Sequence, residues 1–217
     1  MPTISSILEL AFKGGVVMIP IAICSLVAAA LTIERLVSLR RGRVIPPGFV
    51  DGAATALEQG PQRALEICRA APSPIARVFE AALRRWDRPL EQVEKHVAEA
   101  GAREAVGLRK HLRGLAVIAA VTPLLGLLGT IFGMINAFRT VAASADALGR
   151  TELLAGGIYE AMVTTAAGLI VAIPTLLVYH ALAARIERLV LDMDGACIDL
   201  VERHATELPT LRARSAA

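Results

Sequence analysis

Three long apolar runs constrain this chain more than any other feature of its sequence. They cover residues 14–33, 114–138 and about 153–182, and each reaches the roughly 20 residues that a helix needs to cross a bilayer. Over the whole chain, 55% of residues are hydrophobic and the mean hydropathy is +0.57. Inside a membrane, backbone polar groups can bond only to one another, so such runs fold as helices. The sequence therefore predicts an all-α membrane protein with three transmembrane helices.

The first apolar run has a second interpretation, as a cleaved signal peptide. Lys13 precedes the run, and residues 27–30 read Val-Ala-Ala-Ala, which resembles a cleavage site. The run is long for a signal core, however, and cleavage would export the basic cluster between Arg35 and Arg43, against the positive-inside tendency. We interpret the run as a retained span.

Basic residues beside the three runs orient the chain. They follow the first run, precede the second and follow the third: Arg35, Arg40, Arg41 and Arg43; Arg103, Arg109, Lys110 and Arg113; Arg185 and Arg188. The segment between the second and third runs has no basic excess, because Arg139 and Arg150 are balanced by Asp146 and Glu152. Since basic ends face the cytoplasm, the N-terminus is predicted to be periplasmic and the C-terminus cytoplasmic.

These features divide the chain into seven predicted parts. They are a periplasmic N-terminal amphipathic segment (1–13), transmembrane helix 1 (14–37), a cytoplasmic helical region (38–113), transmembrane helix 2 (114–138), a periplasmic loop (139–152), transmembrane helix 3 (153–182) and a cytoplasmic C-terminal helix and tail (183–217). Proline and glycine at 46–48, 60–61 and 72–74 split the cytoplasmic region into short amphipathic helices. From residue 90 onward, one unbroken helix is predicted to run into transmembrane helix 2.

Glu160 is the residue that costs the most free energy to place in these predicted membrane helices. It begins an uncharged apolar run over 161–184, and an ionised carboxylate within hydrocarbon costs at least about 2.5 kcal/mol. The residues on its side of the helix are small or hydroxylated: Gly157, Ala161, Thr164, Thr165, Gly168, Ala172 and Thr175. The pattern favours a proton or ion site. The alternative is a structural acid near the outer interface that meets Arg139 or Arg150.

A matching face lies along transmembrane helix 2. It consists of Thr122, Gly126, Gly129, Thr130, Gly133, Asn136 and Ala137. Gly129 and Gly133 have the G-x-x-x-G spacing, which lets helix backbones approach closely. The candidate helix-packing residues are Gly126, Gly129, Gly133, Gly157 and Gly168. On the residues alone, tight packing and a conduit between helices both remain open.

The two faces lie within a pair of recognisable motifs. The strings TPLLGLLGTIFGMINAF over 122–138 and GGIYEAMVTTAAGLIVAIP over 156–174 closely resemble the MotA/TolQ/ExbB proton-channel family, and most of all its ExbB branch. TolQ shares much of both motifs, whereas MotA is longer and has four spans. The resemblance covers the second and third spans in detail and the topology of the whole chain.

The resemblance implies a subunit of a proton-driven motor in the bacterial inner membrane. Such subunits form rings of about five copies around a single-span, ExbD-like partner with a membrane Asp, and force reaches a TonB-like protein that energises outer-membrane transport. By motif position, Thr130, Glu160 and Thr165 line the inner face near that Asp, and Thr164 is an adjacent hydroxyl. A TolQ-like role in outer-membrane integrity is the alternative. No enzymatic activity, cofactor or metal is implied.

Simpler roles are possible for several of these residues. Thr164 or Thr165 could bond to the carbonyl one turn back. Pro123 and Pro174 are hinge candidates, but membrane helices tolerate proline and a fixed kink is the simpler role.

Other classes of function fit the sequence less well. A scaffold that only oligomerises would not need Glu160. An intramembrane enzyme should show a second catalytic group, and a small transporter should show an internal repeat; neither is visible. The basic residues lack interleaved aromatics, which argues against nucleic-acid binding.

Overall fold

The described part of the chain is helical. The computed structural model describes residues 15–86, 88–143 and 150–215. Its helices are α1 (Met18–Ser38), α2 (Arg41–Val44), α3 (Phe49–Glu58), α4 (Pro61–Ala70), α5 (Pro74–Leu83), α6 (Leu90–Lys110), α7 (Arg113–Ala143) and α8 (Arg150–Ser215). The amphipathic segment predicted over 1–13 lies outside the described residues, as do residues 144–149 of the loop predicted over 139–152. The two ends of that predicted loop are helical, because they belong to α7 and α8.

Three of these helices are long and apolar enough to cross a membrane. They are α1, α7 and the apolar part of α8. The prediction of an all-helical chain with three long apolar helices is therefore confirmed. At about 1.5 Å per residue, the 66 residues of α8 are much longer than a bilayer is thick, so only part of this helix can lie in hydrocarbon.

The chain divides into two compact units. We call residues 1–34 and 112–181 the transmembrane unit, and residues 35–111 and 182–217 the insert unit. The transmembrane unit contains most of α1, all of α7 and the N-terminal half of α8. The second contains α2 to α6 and the C-terminal half of α8.

In the transmembrane unit, glycines bring the backbones of α7 and α8 into close approach. A Cβ added at Gly126 would lie 3.1 Å from the Cα of Thr165. One added at Gly168 would lie 2.8 Å from the carbonyl oxygen of Thr122, and one at Gly133 would lie 3.1 Å from the Cβ of Ala161. Small residues at such crossings allow the van der Waals contact that holds membrane helices together.

In the insert unit, prolines set where the short helices begin. Pro61 and Pro74 occupy the first turns of α4 and α5, where a missing N–H costs nothing. At α5, the amide of Ala76 also donates a hydrogen bond of 3.3 Å to the Ser73 hydroxyl, which caps the helix. The short amphipathic helices predicted between the breakers are therefore present.

The core of the insert unit draws on nearly all of its helices. Successive helices from α3 to α6 pack on one another, and the C-terminal half of α8 adds Leu189, Met193 and Cys197. Phe79 is fully buried and meets Phe49 edge to face, with ring centroids 6.5 Å apart. Burial of these side chains is the main stabilising term.

Ion pairs lie on the surface of the insert unit. Arg77 binds Glu104 through two hydrogen bonds of 2.6 and 2.7 Å, and Arg109 donates to Glu187 at 2.7 Å. Exposed pairs of this kind contribute about 0–1 kcal/mol each. The unit also contains a half-buried acid, Asp194. Its side chain packs against Gly101, and its buried Oδ1 has no hydrogen-bond partner among the described residues. Burial raises the pKa of this carboxyl.

One predicted helix is in fact two. The sequence predicts an unbroken helix from residue 90 into the second span, but α6 ends at Lys110 and α7 begins at Arg113, with a turn at His111 and Leu112. Gly107 and Gly114 flank the turn, and glycine is a weak helix former.

The adjacent glycines of α8 give a matched test of the α7–α8 contact. A Cβ at Gly157 would collide with the Cβ of Ala137 and lie 3.3 Å from the carbonyl oxygen of Gly133, whereas one at Gly156 would meet nothing within 4 Å. We expect Gly157→Ala to destabilise the detergent-solubilised protein by about 1–3 kcal/mol through overpacking. Gly156→Ala should leave it unchanged or stabilise it by up to about 1 kcal/mol. Equal thermal unfolding midpoints for the two variants would contradict this packing.

The buried cysteines of the insert unit should be unreactive. Burial raises the pKa of Cys68 to about 11 and that of Cys197 to about 12. Because the thiolate is the nucleophile, about one Cys68 thiol in a thousand is reactive at pH 8. In a Cys24→Ser variant, we expect maleimide labelling at pH 8 to be slow in the folded protein and rapid after denaturation. Rapid labelling of the folded protein would contradict the described core.

Candidate functional site

The Glu160 carboxylate lies beside the turn that precedes α1. It occupies the space that a side chain at position 15 would fill: a Cβ added at Gly15 would collide with Oε1 of Glu160 and lie 3.4 Å from its Cδ. Gly15 itself has a φ of +67°, in the left-handed region that favours glycine. The backbone conformation therefore favours glycine here, and a side chain at this position would displace the carboxylate.

Glu160 opens onto a cavity of about 460 Å³ in the transmembrane unit. Its lining comes from the turn before α1, from the C-terminal half of α7 and from α8: Gly15, Val16 and Val17; Gly129, Phe132, Gly133, Ile135, Asn136 and Arg139; Glu160. Three of these side chains are polar, namely Glu160, Asn136 and Arg139. Asn136 can both donate and accept hydrogen bonds, as a chain of water molecules requires.

The cavity contains charges of both signs. Glu160 is half-buried and Arg139 is exposed. Among the described residues, neither forms an ion pair within 4 Å. On the sequence alone, Arg139 is a possible structural partner of Glu160. In the structure the two residues line one cavity without a direct ion pair.

The hydroxyl of Thr165 joins α8 to α7. It donates a hydrogen bond of 3.2 Å to the carbonyl oxygen of Gly126, and the side chain is half-buried. This bond crosses the helix pair at the level where the Gly126 backbone comes closest to Thr165. It is a contact between the two helices and not a bond to the preceding turn of α8.

Thr164 and Thr130 bond within their own helices. Thr164 is 1% exposed, packs against Gly129 and donates to the carbonyl oxygen of Ala161 at 2.7 Å. Thr130 is half-buried and donates to the carbonyl oxygen of Leu127 at 2.7 Å. Within a single chain, the threonines singled out with Glu160 therefore lie outside the lining of its cavity.

The two candidate hinge prolines lie inside continuous helices. Pro123 is within α7, and Pro174 is within α8. Pro174 also lines a separate groove of about 400 Å³ beside Ala28 and Thr32 of α1. A hinge role for either proline stays a prediction.

Sequence reasoning missed part of the Glu160 cavity. Helical periodicity places Asn136 on the small-residue face of its helix, and the sequence indicates Arg139 only as a structural partner. The turn at Gly15 was not singled out, although the adjacent glycines at 14 and 15 are a turn signal before an apolar run. The spacing of three between Asn136 and Arg139 was a further signal, since such residues share a helix face.

The sequence of this chain matches a family of known proteins. A sequence profile of the MotA/TolQ/ExbB proton channel family matches residues 70–195, more than half of the chain. A putative biopolymer transport protein, ExbB-like 3, from Synechocystis is 32% identical over 90% of this chain and 95% of its own length. The biopolymer transport protein exbB1 of Vibrio cholerae is 32% identical over 78% of this chain and 75% of its own.

A TolQ protein is also among the relatives. The Tol-Pal system protein TolQ of Pseudomonas aeruginosa is 38% identical, over 48% of this chain and 44% of its own length. The family comprises membrane-embedded transport subunits and not enzymes. With its three long apolar helices, this chain is a member of the MotA/TolQ/ExbB proton channel family.

Proposed function

We propose that this chain is the ExbB-like subunit of an inner-membrane motor that uses the proton motive force to energise TonB-dependent outer-membrane transport. One observation carries the proposal: in a member of a proton channel family, the Glu160 carboxylate opens onto a cavity that Asn136 and Arg139 also line, at one end of a tightly packed helix pair. An acid at the end of an apolar run, without an ion pair among the described residues, is expected where protons are carried.

The exposed surface of the helix pair supports assembly with further copies and a partner. Large apolar side chains on both helices are at least half exposed: Leu124, Ile131 and Ile135 on α7, and Ile170, Ile173 and Leu177 on α8. In a membrane such side chains contact lipid or other helices. We propose a ring of about five copies around the span of an ExbD-like protein with a membrane Asp.

The basic residues support a cytoplasmic position for the insert unit. Arg40 and Arg43 follow α1, and Arg185 and Arg188 lie on α8; all four are exposed. Under the positive-inside rule these positions face the cytoplasm. The N-terminus and the Glu160 end of the helix pair are then periplasmic, and a proton would reach Glu160 from that side.

Protonation drives motion in the proposed mechanism. A proton crossing the membrane releases about 2.3 kcal/mol for each 100 mV, so a few protons can drive a conformational step of several kcal/mol. Glu160, with the hydroxyls of Thr130 and Thr165, holds water beside the acid of the partner. When that acid is neutralised, it is released from Glu160 and the two hydroxyls, and the partner can rotate or shift.

Thr164 has a different role in this mechanism. Its hydroxyl is buried against Gly129 and already bonded to Ala161, so it sets the distance between α7 and α8. Thr165 holds the same contact through Gly126 but is half-buried, and its hydroxyl can still accept a hydrogen bond from water.

A TolQ-like role is the second candidate. The TolQ match has the higher identity, 38%, but spans only 48% of this chain, whereas the ExbB-like match from Synechocystis spans 90%. The longer coverage favours an ExbB-like role.

Complementation distinguishes the ExbB-like role from the TolQ-like role. Recovery of growth on scarce iron in a strain without ExbB supports the ExbB-like role. Recovery of detergent resistance alone, in a strain without TolQ, supports the TolQ-like role.

Removing the charge of Glu160 tests the proposed function. We expect Glu160→Gln to lower proton flux through proteoliposomes containing the chain and its single-span partner by about tenfold or more, because an amide cannot take up and release the proton. Glu152→Gln is the control, since Glu152 is an exposed acid two turns earlier on α8. It should leave the flux unchanged. Full flux with Glu160→Gln would contradict a proton-carrying role for Glu160.

A further inference from the structure

Among the described residues of the turn before α1, Gly15 is the one whose missing side chain makes room for Glu160. A Cβ at position 15 would collide with Oε1, so any larger residue has to displace the carboxylate or the turn. The same turn contributes Val16 and Val17 to the cavity, which Asn136 and Arg139 of α7 also line. The turn before α1 therefore lies against the Glu160 carboxylate.

We propose that Gly15 is a positioning residue for Glu160, and that the cavity shared by the α1 turn, Asn136 and Arg139 is the chamber through which Glu160 exchanges its proton. This inference rests on the proposed function. It assigns a role in proton access to the turn before the first span, in addition to the motifs of α7 and α8.

The chemistry of the cavity suits a proton better than a metal cation. A sodium or calcium ion needs several oxygen ligands, and the lining side chains supply one carboxylate and one amide oxygen. Arg139 also lines the cavity, and its positive charge repels a metal cation that remains hydrated there. A proton differs because it binds covalently to a carboxylate oxygen and neutralises it, and the amide of Asn136 can hold the water that delivers it.

Two effects of a substitution at Gly15 have to be separated. An alanine at a φ of +67° is strained whatever its neighbours, and it also meets the carboxylate. Gly48 of the insert unit provides the control, since its φ is +77° and a Cβ there would meet nothing within 4 Å. Gly48→Ala carries the backbone strain without a displaced carboxylate.

Shortening Glu160 should relieve the collision. Aspartate lacks one methylene, so its carboxylate is drawn back toward α8 and away from position 15. Alone, Glu160→Asp should lower proton flux because the acid is misplaced. In the Gly15→Ala background the same change should raise flux, since it removes the overlap. If Glu160→Asp lowers proton flux in the unmodified chain but raises it in Gly15→Ala, positions 15 and 160 are directly coupled. A general loss of stability does not produce such opposite effects.

The experiment uses the full chain with its single-span partner in proteoliposomes and an imposed membrane potential. We expect Gly15→Ala to lower proton flux about tenfold, Gly48→Ala to leave it within about twofold, and Gly15→Ala/Glu160→Asp to exceed Gly15→Ala by about threefold or more. Equal flux in Gly15→Ala and the unmodified chain would overturn the proposal, as would an identical effect of Glu160→Asp in both backgrounds.

A second measurement does not depend on proton flux. A water-soluble carbodiimide with an amine modifies accessible carboxylates, and mass spectrometry quantifies the product at Glu160 in the purified chain. We expect several-fold less modification in Gly15→Ala than in Gly48→Ala. Equal modification overturns the positioning role even if the protein conducts.

The two measurements distinguish failure of the inference from failure of the proposed function. If the unmodified chain conducts and Glu160→Gln abolishes conduction, but Gly15→Ala has no effect, only the inference fails. If the unmodified chain conducts no protons with its partner, the proposed function and the proton-access role fail together. The modification experiment then still decides whether Gly15 positions Glu160.

Discussion

The close approach of α7 and α8 is the contact on which the rest of the transmembrane unit depends. Gly126 and Gly168 bring the two backbones within van der Waals reach, and the Thr165 hydroxyl bonds to the Gly126 carbonyl where they meet. In a membrane, no hydrophobic effect drives helices together, so close packing and hydrogen bonds between helices have to hold the pair. The same contact fixes where Glu160 emerges, because a fixed crossing leaves its carboxylate at the end of the pair, beside Gly15.

The insert unit is stabilised in a different way. Its core consists of buried aliphatic and aromatic side chains around Phe79, with exposed ion pairs such as Arg77–Glu104 on its surface. The half-buried Asp194 is the one acid of this unit, among the described residues, with a buried oxygen that has no hydrogen-bond partner. The apolar core is therefore the main source of stability in this unit.

Much of the fold follows from local patterns in the sequence. Run length predicts the three apolar helices, and the prolines at 61 and 74 predict where α4 and α5 begin, because both signals act within a few residues. Helical periodicity places Gly129 and Thr164 on the small-residue faces of their helices, but only the folded chain shows that these two residues touch. The contact between Gly15 and Glu160 joins residues far apart in the chain, and no spacing rule could have revealed it. The turn at His111 was missed because glycine propensity alone does not decide whether a long helix continues.

In the proposed function, Glu160 works inside a closed assembly of several copies around an acidic single-span partner. The native mass of the detergent-purified chain, measured alone and then after coexpression with an ExbD-like protein, tests this assembly. We expect a ring of about five copies that retains the partner. A monomer or dimer that does not bind the partner would contradict it, since Glu160 would then lack the enclosed, water-holding environment that proton-driven motion requires.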